Sequence, residues 1–396
     1  MRKVRQEWET LACGLGIVLA LGASKPGAPA TGGSGLGSLD YAFRFASAIT
    51  SDAKDRAKAQ EAVLQDYIAR GATREALARV DQMAGWRQAT VLADLAASEA
   101  RAGRKSAASA LVGRAEQVES ASSGWEGPRI QAHIAAALAA MGEMKLAQEI
   151  ASDLSTQDPR QYKGRAGYTI ASGYLMRGEF EPAMAELQAL DSDADIDTAL
   201  WRTRGYLLVG QTESVAVEKR LQALDAALES SKALDGWMRT DIAREASAQF
   251  AKLGRSEKAR SALQQAEATA LALTDPLPSK AGMIAELARA WGELGEAGRA
   301  RELLKKVEPA AAEALDIDRP SLYARLASVR HAIGDRSVAD RLYGQALGAA
   351  ESLKNARPRA LAVADICRFL GRDGTDPTGA VKSRLDALLR GLKDPW

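Results

Sequence analysis

Apolar positions along this chain come in paired runs at three- and four-residue spacing, and each pair is broken by a glycine. In GMIAELARAWGELGEAGRARELLKKV (282–307), Ile284, Leu287 and Trp291 fall on one face of a first segment. Beyond Gly295, Ala300, Leu303, Leu304 and Val307 fall on one face of a second. This is the period of one-sided helices. A lone hairpin of two such helices leaves a stripe uncovered, so the pattern predicts hairpins that stack in order on their neighbours.

The same frame returns along most of the chain. Glycines that end a helical stretch stand at Gly71, Gly103, Gly142, Gly178, Gly210, Gly254, Gly295, Gly334 and Gly371, at intervals of 32 to 44 residues. Repeat architectures have periods of roughly 20 to 50 residues. Five residues after seven of these nine comes alanine: Ala76, Ala108, Ala147, Ala183, Ala259, Ala300 and Ala339. Seven residues before most of them sits another small residue: Ala96, Ala135, Ala171, Ser247, Ala288, Ala327 and Ala364. A glycine closes the first helix in the left-handed conformation, and small side chains at the crossing let the second helix fold back closely. Pro128, Pro159, Pro276, Pro278, Pro320 and Pro358 precede the turns by 13 to 19 residues, where a connector or first helical turn tolerates a missing amide. The predicted fold class is all-α, with about nine stacked antiparallel helical hairpins, the last of them, ending KSRLDALLRGLKDPW, serving as a cap.

Composition agrees. Hydrophobic residues make up 46% of the 396 but aromatics only 5%, a set suited to helices packed through small side chains. The first thirty residues differ. Arg2, Lys3 and Arg5 precede the apolar run LACGLGIVLALGA (11–23), and SKPGAPATGGSGLGS follows. That layout predicts a signal peptide or membrane anchor over 1–30 and a Gly/Ser-rich linker over 31–40, with the repeat domain over 41–396. The apolar run is short for a membrane span, so contact with a membrane is expected only through this segment, if it is uncleaved. Export to the periplasm or cell envelope is the expected localisation. Cys13 precedes most of the apolar run, the wrong place for lipidation. Without residues 1–30 the chain keeps 53 − 4 = 49 basic and 51 − 2 = 49 acidic side chains. A neutral chain offers no basic excess to a phosphate backbone, which argues against nucleic acid. Cys367 is then the single thiol, so no disulfide framework or cysteine metal site is expected.

The glycine with alanine five later, the small residue seven earlier, an aromatic four earlier (Tyr67, Tyr174, Phe250, Trp291) and Asp158-Pro159 closing one unit resemble tetratricopeptide repeats, over about residues 50 to 390. Departures exist: most intervals exceed the standard repeat of about 34 residues, Gly210 is followed by Val215, and Gly371 has no alanine in register. The resemblance implies a right-handed α-solenoid whose first helices line a concave face. Family offsets of 13, 10, 6 and 3 residues before each glycine then give Arg129, Ala132, Ala136 and Ala139 in one unit and Arg165, Tyr168, Ser172 and Leu175 in the next. Later units give Asp197, Leu200, Arg204 and Leu207, then Asp241, Arg244, Ala248 and Ala251, and Ser321, Ala324, Ser328 and His331. The implied groove is mostly small and apolar, studded with Arg129, Arg165, Arg204, Arg244 and Arg289. Such a face accepts an extended peptide or a helix, with arginines holding carboxylates. The alternative is that the alanines merely pack and the arginines are solvated.

Recognisable chemistry is sparse. Trp86, Trp125 and Trp237 each follow a glycine and stand 17 residues before a turn glycine. They are either staples on the preceding hairpin or a line of aromatic platforms, and partial exposure favours platforms. DSDADID (191–197) spaces Asp191, Asp193, Asp195 and Asp197 like a calcium loop, but Ile196 and Arg202 stand where that loop needs glycine and glutamate. A linker is the better reading. His133 and His331 are the two histidines, each alone on a predicted helix and neither in a ligand pair. No cofactor or metal is expected. The leading functional expectation is a non-catalytic interaction scaffold with a protein or peptide partner. Self-association is a further possibility, and a secreted carbohydrate-active enzyme with an (α/α) barrel is the alternative.

Overall fold

The computed structural model describes residues 34–120, 124–157, 159–190 and 195–393. The segment read as an export signal, with Cys13, lies outside them, as do Asp191 and Asp193. Among the described residues all regular structure is helical. The chain opens with α1 (Leu36–Ser47) and α2 (Ala53–Ala69) and continues through α3 (Thr73–Val80), α4 (Trp86–Arg101), α5 (Lys105–Ser120), α6 (Glu126–Met141) and α7 (Met144–Gln157). Next come α8 (Pro159–Met176), α9 (Phe180–Ala189), α10 (Ile196–Gln211), α11 (Val217–Ser230), α12 (Gly236–Lys252) and α13 (Ser256–Ala272). The last six are α14 (Leu277–Glu293), α15 (Ala297–Glu313), α16 (Arg319–Ala332), α17 (Arg336–Glu351), α18 (Ala356–Arg372) and α19 (Gly379–Arg390). The fold is an array of antiparallel helical hairpins, as the periodicity predicts.

Seven of the nine expected turn glycines, Gly71, Gly103, Gly142, Gly178, Gly254, Gly295 and Gly334, have φ between 70 and 87°. In six of them the amide of the next residue bonds back to the carbonyl four before the glycine, as from Glu179 to Tyr174 and from Glu296 to Trp291, at 2.8 to 2.9 Å. This is the six-to-one closure of a left-handed helix stop. All seven alanines five residues on are at most 1% exposed. The two small positions do meet across a hairpin, since the Ser247 hydroxyl donates to the Ala259 carbonyl at 2.8 Å.

Gly210 and Gly371 are corrections. Both lie inside helices, α10 and α18, and neither has positive φ. A Cβ on Gly210 would stand 2.4 Å from Leu224, and one on Gly371 2.8 Å from Leu39. They are close-approach glycines, and α10 finishes differently: Arg220 Nε donates to the Gly210 carbonyl at 2.9 Å, so an arginine satisfies an end carbonyl that a left-handed stop satisfies elsewhere.

The helices form two compact units, one of residues 68–266 and one joining residues up to 67 with those from 267 onward. A single repeat domain over 41–396 and strictly sequential stacking were expected. In the second unit α1 instead packs on α18. Its first turn is held by Asp376, whose Oδ1 accepts from the Gly37 amide at 2.7 Å, and the Tyr41 hydroxyl donates to Asp386 at 2.6 Å. Arg357 and Arg368 reach Asp52 and Asp66 at 3.0 and 2.5 Å. The terminal hairpin is thus no free cap. Nor is 31–40 all linker: helix begins at Leu36, and Leu39 is fully buried. No helix among the described residues is long and apolar enough to cross a membrane.

Candidate functional site

Within each unit the first helix of a hairpin packs on the first helix of the next, α4 on α6, α6 on α8, α8 on α10 and α10 on α12 in one and α14 on α16 and α16 on α18 in the other, so residues at equal distance from the turn glycine approach one another between hairpins. Nine residues before the glycine, this row holds Asp94 (before Gly103), His133 (before Gly142), Glu245 (before Gly254), Glu286 (before Gly295) and Arg325 (before Gly334). It is the most polar line of the first helices. Its members pair from one helix to the next: His133 Nδ1 lies 2.8 Å from Asp94 Oδ1, and Arg325 Nη1 donates to Glu286 Oε1 at 3.4 Å.

In the first unit, arginines gather beside this row on α4, α6, α8 and α10. Arg87 and Arg129 both stack on the Trp86 ring, at 4.2 and 4.7 Å from its centroid. Trp86 in turn meets Trp125 edge-on, with centroids 5.5 Å apart. Trp125 is 64% exposed, so the staple reading fails for it and an aromatic shelf remains. Arg165 stacks on Trp201 at 5.4 Å, and Trp201 on Tyr168 at 5.2 Å. Cation–π contacts orient a guanidinium without neutralising it. Burial pulls the Arg165 guanidinium down to about 10, the positive charge of Arg129 adds to that pull, and Asp94, Tyr162 and Tyr168 oppose it. Burial also lowers Arg101, against Tyr168 and Asp94. Both remain charged at neutral pH. Arg101 and Arg165 are half-buried and have no hydrogen bond or ion pair with any described residue, and Arg101 Nε is enclosed without a partner.

Farther along the first unit, Arg204 is buried with Nη1 4.0 Å from Glu245 Oε1. Arg244 Nη2 lies 2.7 Å from Asp241 and 3.7 Å from Glu245. Burial pushes the Glu245 carboxyl up to about 7, with Arg204 and Arg244 opposing and Asp241 adding to the rise.

The second unit builds the opposite balance. Glu286 takes two hydrogen bonds from Arg372, both 2.9 Å, one from Arg325, and lies 3.6 Å from Arg289. Burial alone raises its carboxyl, but Arg372, Arg325 and Arg289 outweigh burial and hold it at about 2. Arg289 is buried, donates to Ser328 Oγ at 2.5 Å and lies 3.9 Å from Asp373. Asp373 also accepts from the Ser328 and Tyr343 hydroxyls at 2.6 and 2.7 Å. His331 is half-buried in the last turn of α16, where Asp373 acts on it electrostatically.

The seven residues expected to line one groove therefore divide. Arg129, Arg165, Tyr168, Arg204 and Arg244 belong to the first unit, and Arg289 and His331 to the second. The apolar positions of the expected groove also divide: Ala132, Ala139, Leu175, Leu200, Leu207 and Ala324 are buried, whereas Ala136, Ser172, Ala248 and Ala251 are partly exposed. Tyr168 and Arg204 are buried with the first six, because the first helices press these positions against their neighbours. The sequence reading missed Arg101, Asp94, Glu245 and the partner of His133. The repeat register carried a signal for the last, since 133 − 94 equals the 39 residues between Gly103 and Gly142. Asp195 of the aspartate run caps α10, accepting from the Thr198 amide at 2.7 Å, and no metal-holding group occurs among the described residues.

No family model matches the chain, and no curated protein sequence matches it. Among solved structures, the apo form of RapI aligns over 67% of this chain and 98% of that one, at 14% identity and a TM-score of 0.29. A superposition that loose carries no argument, so the protein is described by its own architecture, an all-α array of helical hairpins.

Proposed function

We propose that the chain is a non-catalytic, tetratricopeptide-like interaction scaffold of the cell envelope, and that the arginine and tryptophan face of its first unit recognises an anionic segment of a partner protein. The observation that carries this reading is the pair Arg101 and Arg165. Both guanidiniums are half-buried and lack an ion pair with any described residue, and Arg165 is stacked on Trp201. Guanidiniums lose solvation when half-buried, and an incoming anion supplies the hydrogen bonds they lack. Trp125, 64% exposed and edge-on to Trp86 on the same first-helix series, supplies the kind of aromatic contact that anchors protein interfaces. Export rests on the layout of residues 1–30 alone. Capture from an envelope extract on the immobilised full chain tests the reading. Partner retention is expected to fall at least roughly tenfold with Arg101→Gln and Arg165→Gln combined, and unchanged retention would sink it.

A second reading, the carbohydrate-active enzyme, is favoured by one observation: a part-buried histidine held 2.8 Å from an aspartate. Sugar hydrolysis that disappears with His133→Ala would select it.

A further inference from the structure

One hairpin of the first unit leaves the repeat frame. Other hairpin turns of this unit are two or three residues long, at 102–104, 142–143, 177–179 and 253–255, and each contains a left-handed glycine. Between α10 and α11 the turn has five residues, 212–216, and no glycine. Thr212 leaves α10 in an extended conformation, so the chain does not fold tightly back, and a gap stays open beside the end of α8, which packs on α10. That gap is a cleft of about 200 Å³ lined by Ser172, Leu175 and Met176 of α8 and by Thr212, Glu213 and Ser214 of the turn. Leu175 is buried, whereas Met176 and Glu213 are exposed.

Glu213 is the one charged side chain in this lining, and it forms no hydrogen bond or ion pair with any described residue. The cations next along the chain are engaged elsewhere: Arg177 with Glu179 at 2.7 Å, Lys219 with Glu181 at 2.5 Å and Arg220 with the Gly210 carbonyl at 2.9 Å. The Ser172 and Ser214 hydroxyls likewise have no hydrogen bond among the described residues. The ends of α8 and α10 add the partial negative charge of helix C-termini.

We propose that this cleft binds a primary ammonium group on a short alkyl stem, the chemistry shared by a lysine side chain and a small alkylamine. Such an ammonium is a compact charge with three donors on a flexible stem. Glu213 and the two hydroxyls offer three acceptors, and Leu175 and Met176 offer the stem apolar surface. A bare metal ion fits worse, because hard cations gather several oxygen ligands, carboxylates above all, and the lining holds one carboxylate. The size is right for a small organic group, since a cavity of roughly 150 Å³ admits benzene. The site shares no residue with the anion-recognising face and stands or falls apart from Arg101 and Arg165.

Methyl-detected NMR titration of the full chain tests this with n-butylammonium as the probe, the methionine methyl groups being isotope-labelled and the Met176 signal assigned through Met176→Leu. Saturable movement of the Met176 signal is expected, with a Kd on the order of 1 to 10 mM for so small a ligand, while the signals of Met83 and Met283 stay in place. Butanol and butyrate keep the stem but remove or reverse the charge, and are expected to bind at least roughly tenfold more weakly. Glu213→Gln is expected to weaken n-butylammonium binding roughly tenfold, and Ser172→Leu, which fills the cleft, to abolish it. Glu218→Gln, which removes an exposed acid outside the lining, is expected to leave it unchanged. A lysine peptide that binds more tightly than n-butylammonium assigns the group to a partner protein, and equal binding assigns it to a small amine. Butanol binding as tight as n-butylammonium overturns the proposal. So does binding that survives Glu213→Gln, or a Met176 signal that does not move in the unmutated chain. Glu213 is exposed and outside the helices, so its variant decides the matter even if Ser172→Leu fails to fold.

Discussion

Two arginine clusters on equivalent helices of one repeat frame have opposite electrical fates. In the second unit, Glu286 is 13% exposed and lies within 4 Å of three guanidiniums, so the charges cancel inside the protein. In the first, Arg101 and Arg165 form no hydrogen bond or ion pair with any described residue and feel the charge of Asp94, which His133 engages, only at a distance. On the proposed function, such a difference separates a structural network from a recognition surface. A satisfied buried network fixes how hairpins pack, whereas unsatisfied charge is retained against stability and gains its partner on binding.

The contrast breaks most visibly at Glu286. Its carboxyl is held at about 2 in the folded chain against an ordinary value of 4.5, so its contribution is present above pH 4.5 and lost as pH falls through 2. Glu286→Gln is expected to lower stability by about 3 kcal/mol at pH 7, measured by urea unfolding, with the gap to the unmutated chain closing toward pH 2. A gap independent of pH would show that the arginines do not act through this carboxylate.

Glu245 in the first unit provides the mirror image. Burial holds its carboxyl up at about 7, so its contribution is full below pH 4.5 and lost as pH rises through 7. Glu245→Gln is therefore expected to gain on the unmutated chain between pH 5 and 8, whereas Glu286→Gln loses most at neutral pH. Parallel pH profiles for the two variants would erase the distinction between the units.

The smallest expected change tests the buried charge of Arg165 directly. Arg165→Gln removes a half-buried charge that Arg129 repels, and is expected to raise stability by about 0.5 to 1 kcal/mol at pH 7, seen as a higher unfolding midpoint. A marked loss would mean that Arg165 has a structural partner. Because this variant is also expected to weaken partner capture, its stability separates a binding defect from a folding defect.

The hairpin frame was legible because its causes are local. A positive φ needs glycine, a close crossing needs a methyl group, and both recur at fixed offsets, as Gly178 and Ala183 illustrate. Gly210 and Gly371 were misread because a glycine that ends a helix and one that admits a neighbouring leucine look alike in one dimension. Only the 2.4 Å approach of Leu224 tells them apart. The candidate site was half legible. Arg129 and Arg165 were found from their register, but the same offsets also selected Arg204 and Arg289, which packing buries. Arg101 lay outside those offsets, and its lack of an anion is a property of its surroundings.

The sequence by itself determined the helices, the turns that join them and the small residues at their crossings, because each depends on contacts within a few dozen residues. The tertiary structure decided that α1 lies on α18, that His133 meets Asp94, and that Glu286 rather than Asp94 is ringed by guanidiniums. Those outcomes depend on which side chains from different hairpins share one low-dielectric space. A charge count averages that away: beyond residue 30 the 49 acids and 49 bases balance, whereas the ring around Glu286 exists only where folding brings Arg289, Arg325 and Arg372 together.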